Sequence, residues 1–289
     1  MATSIRDIKQ KVVATKKTSQ ITNAMNMVSA SKLKGAQRAT ENFRPYMDRI
    51  EDIIVNLASS GDEIDHPLLK AREVKKVCYI LVTSDRGLAG PFNSNLCKII
   101  TNEVANKEYI IGAMGIKGYF YCKHKKYNMF DDIVRLPDDV TFDYVFPMIR
   151  KVVEMYLNGE VDQVVMVYNH FRNTLSIEPT LKTILPIQND FKTKNDKKET
   201  NQIYDYEGGI NSILDTVLPL YIENLVYGVI LDSKASEHAS RMTAMKNATD
   251  NAKDVISQLE LKYNRARQSA ITLELTDIIG GANAANGGN

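Results

Sequence analysis

The chain has 289 residues, 44% apolar and 25% charged, with a net charge of +2, a profile that excludes general disorder. Three widely spaced cysteines (Cys78, Cys97, Cys122) and four isolated histidines (His66, His124, His170, His238) make no CxxC or clustered ligand set, which argues against a disulfide framework, a zinc site and metal catalysis. At roughly 150 residues per domain the chain accommodates about two structural units. No apolar run approaches the ~18–20 residues that cross a bilayer. Residues 1–17 are too polar for a secretory signal, so the expected setting is the cytosol or a peripheral attachment.

The N-terminal arm is basic. Through Thr40 it carries Arg6, Lys9, Lys11, Lys16, Lys17, Lys32, Lys34 and Arg38 against one acid, Asp7, which leaves the remainder net acidic. All eight prolines lie between Pro45 and Pro219. Before Pro45 only Gly35 is a glycine, and after Pro219 only Gly228 precedes Gly280. Proline costs a helix interior ~3 kcal/mol and glycine ~1 kcal/mol, so both ends are free to form long helices. Leu33, Ala36, Ala39, Phe43, Met47, Ile50, Ile54 and Leu57 recur at steps of three and four, the mark of one buried helical face. Upstream, Ile5, Ile8, Val12 and then Ile21, Ala24 and Val28 are expected on the same face, with Thr15 and Ser19 thinning the stripe between them.

The middle reads differently. Residues 77–82 (VCYILV), 109–113 and 163–168 (QVVMVY) are short apolar, β-branched runs flanked by turn signals, the pattern of buried strands. Residues 93–105 and 142–157 have helical spacing between them, and strand–helix–strand order predicts a small parallel or mixed α/β sheet. Residues 175–187, holding Pro179 and Pro186, suit edge strands. Residues 190–200 (DFKTKNDKKET) read as a solvated loop.

In the last arm Ala235, Ala239, Met242, Met245, Ala248, Ala252, Val255, Leu259, Tyr263, Ala266, Ala270 and Leu273 keep the three–four rhythm. A helix from about Ser233 to Ile279 would be roughly 70 Å long at ~1.5 Å per residue, so it is expected to project. The two arms enter and leave the middle domain, and pairing them gives an antiparallel two-helix coiled coil. Its seam is rich in alanine, methionine, serine and threonine. At about 25 cal/mol per Å² such small residues bury little, which points to an enclosing partner. Gln268, Ser269, Thr272, Glu274 and Thr276, near the tip, are expected to touch it.

The loop over residues 83–93 (TSDRGLAGPFN) follows a strand, where α/β folds bind phosphate, yet it is neither G-x-x-x-x-G-K-[ST] nor G-x-G-x-x-G. The better reading is a tight strand-to-helix turn held by local hydrogen bonds from Ser84 and Asp85. The spacing of Gly112, Gly115 and Gly118 fails the dinucleotide pattern, and no nucleophile elbow, H-E-x-x-H or convincing carboxylate pair is present. The basic arm has no aromatic before Phe43 to stack bases, so nucleic acid is not the expected partner. Arg241 and Lys246 flank Met242 and Met245, which read as seam residues with their cations in water.

Three segments nevertheless carry a pattern. Residues 5–9 (IRDIK) with 20–33 (QITNAMNMVSASKL) resemble the N-terminal helix of the gamma subunit of F-type ATP synthases. Residues 84–90 (SDRGLAG) with Phe92 and Asn93 resemble that family's central-domain signature. Residues 235–252 and 263–272 (YNRARQSAIT) resemble its C-terminal helix. The resemblance spans nearly the whole chain in order, and residues 282–289 extend past its usual end and read as disordered.

The resemblance implies a fold of long α-helical arms forming an antiparallel coiled coil around a central Rossmann-like α/β domain. Residues 1–60 and 208–289 would be the arms and 70–205 the α/β domain. It implies a central-stalk rotor that couples proton flow through the membrane sector to the conformational cycle of an alpha3beta3 hexamer. The α/β domain would rest on the epsilon subunit and the c-subunit ring. One copy per complex, no cofactor and no catalytic site of its own are implied, with the complex on the cytoplasmic face of the bacterial inner membrane. By motif, Met25, Arg241, Gln268, Thr272 and Glu274 would face the beta subunits, and Tyr204, Tyr206 and Glu207 would lie in the foot near epsilon and the c ring. The alternatives are a non-rotary coiled-coil adaptor or scaffold, and a small α/β enzyme.

Overall fold

A computed structural model describes residues 4–59, 66–105, 107–187 and 210–286. The charged run at 190–200 and the foot residues Tyr204, Tyr206 and Glu207 lie outside the described residues. The elements in chain order are α1 (Ile5–Ser59), a 3-10 turn (Pro67–Leu69), β1 (Lys76–Val82), α2 (Phe92–Glu103), β2 (Glu108–Met114), α3 (Ile116–Lys125), β3 (Met129–Ile133), α4 (Phe142–Leu157), β4 (Gln163–Phe171), β5 (Ile177–Leu185) and α5 (Ile210–Asn286). By contact density the chain divides into two units, Ser29–Arg241 and Met1–Val28 with Met242–Asn289.

The larger unit is built on a five-stranded sheet in the order β3-β2-β1-β4-β5. β1 pairs in parallel with both β2 and β4, β2 in parallel with β3, and only β5 runs antiparallel, at the β4 edge. Pro179 sits in that edge strand opposite Asn169, where its missing N–H is tolerated. The central strand shows why the sheet is buried on both faces. Its alternate residues Cys78, Ile80 and Val82 join the larger apolar cluster with α4 and with the nearby parts of α1 and α5, while Val77, Tyr79 and Leu81 join a second cluster under α2. Helices on both faces of a mostly parallel sheet make this an α/β domain of Rossmann type.

Several details depart from the sequence expectations. Helix α3 and strand β3 were not anticipated, because Gly118 weakens the helical pattern and β3 (MFDDI) is half polar. Helix α5 begins at Ile210 rather than near Ser233 and takes Pro219 into its interior, as α1 takes Pro45 and α4 takes Pro147. Around Pro219 the buried Leu214, Leu218, Tyr221 and Ile222 anchor the helix in the core, and that packing outweighs the lost backbone bond. Helix α5 also contains an 18-residue window of mean hydropathy 1.4, long and apolar enough by composition to cross a membrane. Half of that window is buried against the protein, as befits a core helix. The same helix runs to Asn286, so residues 282–286 are helical where disorder was expected.

In the smaller unit α1 up to Val28 and α5 from Met242 pair antiparallel, with Lys16 bridging to Glu260 at 2.7 Å and Thr22 to Thr249 at 2.7 Å. The inward positions on α1 are Ile8, Val12, Thr15, Ser19, Thr22 and Met25, whereas Ile21 and Val28, expected inside, are 61% and 56% exposed. Ala24 is exposed as well. The stripe turns polar because the Thr22 hydroxyl finds a partner on α5, which an apolar side chain at that spot could not use. On α5 the inward run is Met245, Thr249, Ala252, Ile256, Leu259, Tyr263 and Ala266, with Ile256 taking the place expected of Val255. From Arg267 to Ala282 every residue is exposed, Ala270 and Leu273 included.

Candidate functional site

The loop between β1 and α2 is the place where a ligand would bind if this domain took one, at the carboxyl ends of parallel strands. Its polar groups are instead used internally. The Ser84 amide donates to Asn93 Oδ1 at 3.0 Å, Asn93 Nδ2 donates to Ser84 Oγ at 2.7 Å, and Ser84 Oγ donates to the Arg86 carbonyl at 2.7 Å. Asp85 reaches further than a local turn: its Oδ1 accepts the amides of Ile116 at 2.8 Å and Arg135 at 3.0 Å, tying the loops after β2 and β3 to this one. Thr83 Oγ1 donates to the Met114 carbonyl and accepts the Gly118 amide. This close approach explains two of the three glycines, Gly115 and Gly118, whose spacing fails the dinucleotide pattern. A Cβ on Gly115, whose φ is +94°, would lie 2.2 Å from the Thr83 carbonyl oxygen, and one on Gly118 would lie 2.8 Å from Thr83 Oγ1.

The outer side of the loop presents carbonyls, and helix α5 meets them. Ser240 Oγ donates to the Ala89 carbonyl at 2.6 Å; Arg241 donates through Nε to Gly87 at 3.3 Å and through Nη2 to Arg86 at 3.2 Å. Three acceptors aimed at a helix do not cradle phosphate, which needs donors. One turn back, Glu237 pairs with Arg241 at 2.7 Å and stands 3.8 Å from Lys234, whose Nζ donates to the Leu136 carbonyl. All three charged side chains are more than nine-tenths buried. Beside them Asp138 pairs with Lys32 and faces His238. Burial pushes the Asp138 carboxyl up, but Lys32, His238 and Lys234 more than offset it and hold it below the ordinary carboxylate range. Burial pushes the His238 imidazole below its ordinary value, reinforced by Arg241 and Lys234 and opposed by Glu237 and Asp138.

The residues singled out in the sequence fall into separate places. Arg241 is 8% exposed and bonded inside the larger unit. Met25 is half-buried on α1, close to the Thr22–Thr249 contact along the helix. Gln268, Thr272 and Glu274 are exposed on the uncovered end of α5, where the Thr272 hydroxyl bonds back to the Gln268 carbonyl. Sequence reasoning passed over Glu237, Ser240, Lys234 and Asp138. The i, i+4 spacing of Glu237 and Arg241 was a usable signal for the first of these. Burial raises the thiols Cys78 and Cys122 to about 12 and Cys97 to about 11, which leaves them poorly nucleophilic. Among the described residues no group of three His, Cys, Asp or Glu stands placed to hold a metal ion.

A parallel α/β domain that fills its own ligand loop, in one chain with a helix pair that leaves one end uncovered, defines a subunit of a larger assembly. Similarity to known proteins says which one. The ATP synthase family profile matches residues 4–285. The ATP synthase gamma chain of Staphylococcus saprophyticus is 42% identical over 284 residues, covering 96% of this chain and 98% of that relative. The chain belongs to the ATP synthase gamma chain family. Among solved structures, the central stalk and c-ring of the Tetrahymena thermophila mitochondrial ATP synthase matches with a TM-score of 0.59 and 26% identity, over 79% of this chain and 99% of that one. A chain of the Euglena gracilis mitochondrial ATP synthase, in an assembly of OSCP, F1 and c-ring, shares the fold with a TM-score of 0.68 at 20% identity, over 98% of this chain and 95% of that one.

Proposed function

We propose that the chain is the central-stalk rotor of an F-type ATP synthase, coupling proton flow through the membrane sector to conformational cycling of an alpha3beta3 catalytic hexamer. The observation that carries this reading is relatedness to a gamma chain over 96% of the length, at an identity that spans both helical arms and the α/β domain. In this reading the chain is non-catalytic, takes no cofactor and is present once per complex. Its α/β domain bears on the epsilon subunit and the c ring, at the cytoplasmic face of the bacterial inner membrane.

The mechanism follows from asymmetry. A partner shifts a two-state equilibrium only by its differential affinity for the two states. A helix pair is not three-fold symmetric, so at each angle it touches the three beta subunits differently and favours a different conformation in each. Turning it passes those preferences round the ring, and forced conformational change at the nucleotide sites turns it back. Met25, Gln268, Thr272 and Glu274 supply the contact with beta in this reading; Arg241, with its guanidinium committed internally, contributes chiefly an edge. Tyr204, Tyr206 and Glu207 belong to the foot near epsilon and the c ring. The polar seam and the exposed end of α5 support a surface that slides in a protein sleeve rather than one sealed by a deep apolar contact.

Purifying the membrane complex through a tag on this chain tests the proposal. Alpha and beta in a 3:3:1 ratio with it, together with proton pumping on ATP hydrolysis, are expected. A chain recovered alone, or with partners that bind no nucleotide, overturns it.

A further inference from the structure

We infer that Glu237 is a positioning residue: its carboxylate aims Arg241 at the loop after β1, and the resulting clasp fastens helix α5 to the α/β domain so that twist passes between them. The inference rests on the rotor reading for its consequence in coupling, while the clasp itself is a property of this chain alone.

The geometry is that of a hub. Glu237 is 5% exposed, and a carboxylate that deep persists only when paired. It stands three residues after Lys234 and four before Arg241, so both cations share its helical face. Each cation then grips a different loop: Lys234 the Leu136 carbonyl after β3, Arg241 the Arg86 and Gly87 carbonyls after β1. Ser240 adds the Ala89 carbonyl. One acid thus neutralises two buried cations and keeps both aimed. Arginine suits the second position because its planar fork serves Glu237 and two carbonyls at once, which an ammonium cannot do with fixed directions.

Much of the rest of α5's attachment in this unit is apolar, through Leu214, Leu218, Ile222, Val226, Val229 and Ile230. Polar links are spread along it, from Asp215 to His66, Glu223 to Arg150, Tyr227 to the Val140 carbonyl, and Asp232 to His170 and the Phe171 amide. Apolar packing is non-directional and lets a helix slide or roll at low cost, whereas hydrogen bonds to fixed carbonyls oppose both motions. The clasp also sits at the carboxyl end of this unit's share of α5, which closes at Arg241. A twist applied to the sheet therefore meets a directional restraint on the helix at this clasp.

Two measurements test this. In the isolated full chain, Glu237→Gln should speed amide exchange across residues 84–91 about ten- to a hundredfold, the equivalent of losing a charge-assisted hydrogen bond. Glu237→Asp, with the charge kept and the reach shortened, should fall between. In the assembled complex, Glu237→Gln should retain ATP hydrolysis while protons pumped per ATP drop to about half or less, with Ser240→Ala moving the same way more weakly. A merely structural role would lower the melting temperature and leave that ratio alone, which overturns the positioning role; unchanged exchange at residues 84–91 overturns the clasp. If Glu237→Gln does not fold, Glu237→Asp and Ser240→Ala decide both points. A wild-type complex that pumps no protons ends the rotor reading instead, and the exchange data then judge the clasp by themselves.

Discussion

The hydroxyl pair in the helix seam makes a prediction whose sign depends on how many partners are removed. Thr22 Oγ1 and Thr249 Oγ1 lie 2.7 Å apart, Thr249 is 4% exposed, and each hydroxyl also has a carbonyl on its own helix, Thr18 or Ser19 for one and Met245 for the other. Two protons serve this arrangement, one donated across the seam and one along a helix. Thr249→Val keeps the volume but breaks the cross-bond and sets a methyl against the Thr22 oxygen, at a cost of about 1 kcal/mol. Thr22→Val should cost about the same. The double variant removes both polar groups and buries two methyls, each gaining roughly 0.8 kcal/mol, so it should return to within about 0.5 kcal/mol of wild type or exceed it. The assay is amide exchange over residues 245–256 of α5, where about 1 kcal/mol appears as a roughly fivefold faster opening. Single effects that simply add in the double variant, to about 2 kcal/mol, would refute the idea that the two hydroxyls act as one buried pair.

Three further outcomes are expected. Gly115→Ala should destabilise the α/β domain by more than about 3 kcal/mol, because the new Cβ would lie 2.2 Å from the Thr83 carbonyl at a φ of +94°, and denaturant unfolding measures it. His238 holds its proton less tightly folded than unfolded, so stability should fall as pH drops below about 6.5, and His238→Gln should flatten that slope on the acid side of about pH 6.5 in pH-dependent melting. Met25→Lys places a charge on a half-buried position of the shaft; unfolding should move by less than about 1 kcal/mol because lysine extends to water, while protons pumped per ATP in the complex should fall, and a normal ratio removes Met25 from the contact with beta.

Sequence alone determined the elements whose signal is strong and local. β1, β2 and β4 stand where continuous β-branched runs placed them, α2 and α4 follow their three–four spacing, and the long terminal helices follow from where proline and glycine are missing. Relatedness was legible for the same reason: the motifs of the two arms and of the 84–93 loop are contiguous strings. Tertiary structure decided what depends on burial. Periodicity counts apolar residues, so it set Ile21 and Val28 inside and passed over Thr22, whose place in the seam comes from a hydroxyl on another helix more than two hundred residues away. Pro219 looked like a boundary until the core packed on both sides of it. In the string Glu237 and Lys234 carry no mark beyond their helical spacing, and Arg241 reads as a cation in water or, by the resemblance, as a contact with beta. Only folding brings the carbonyls of residues 86, 87 and 136 against them, and it is the loss of water around a charge, invisible in any local pattern, that turns three such side chains into a fastening.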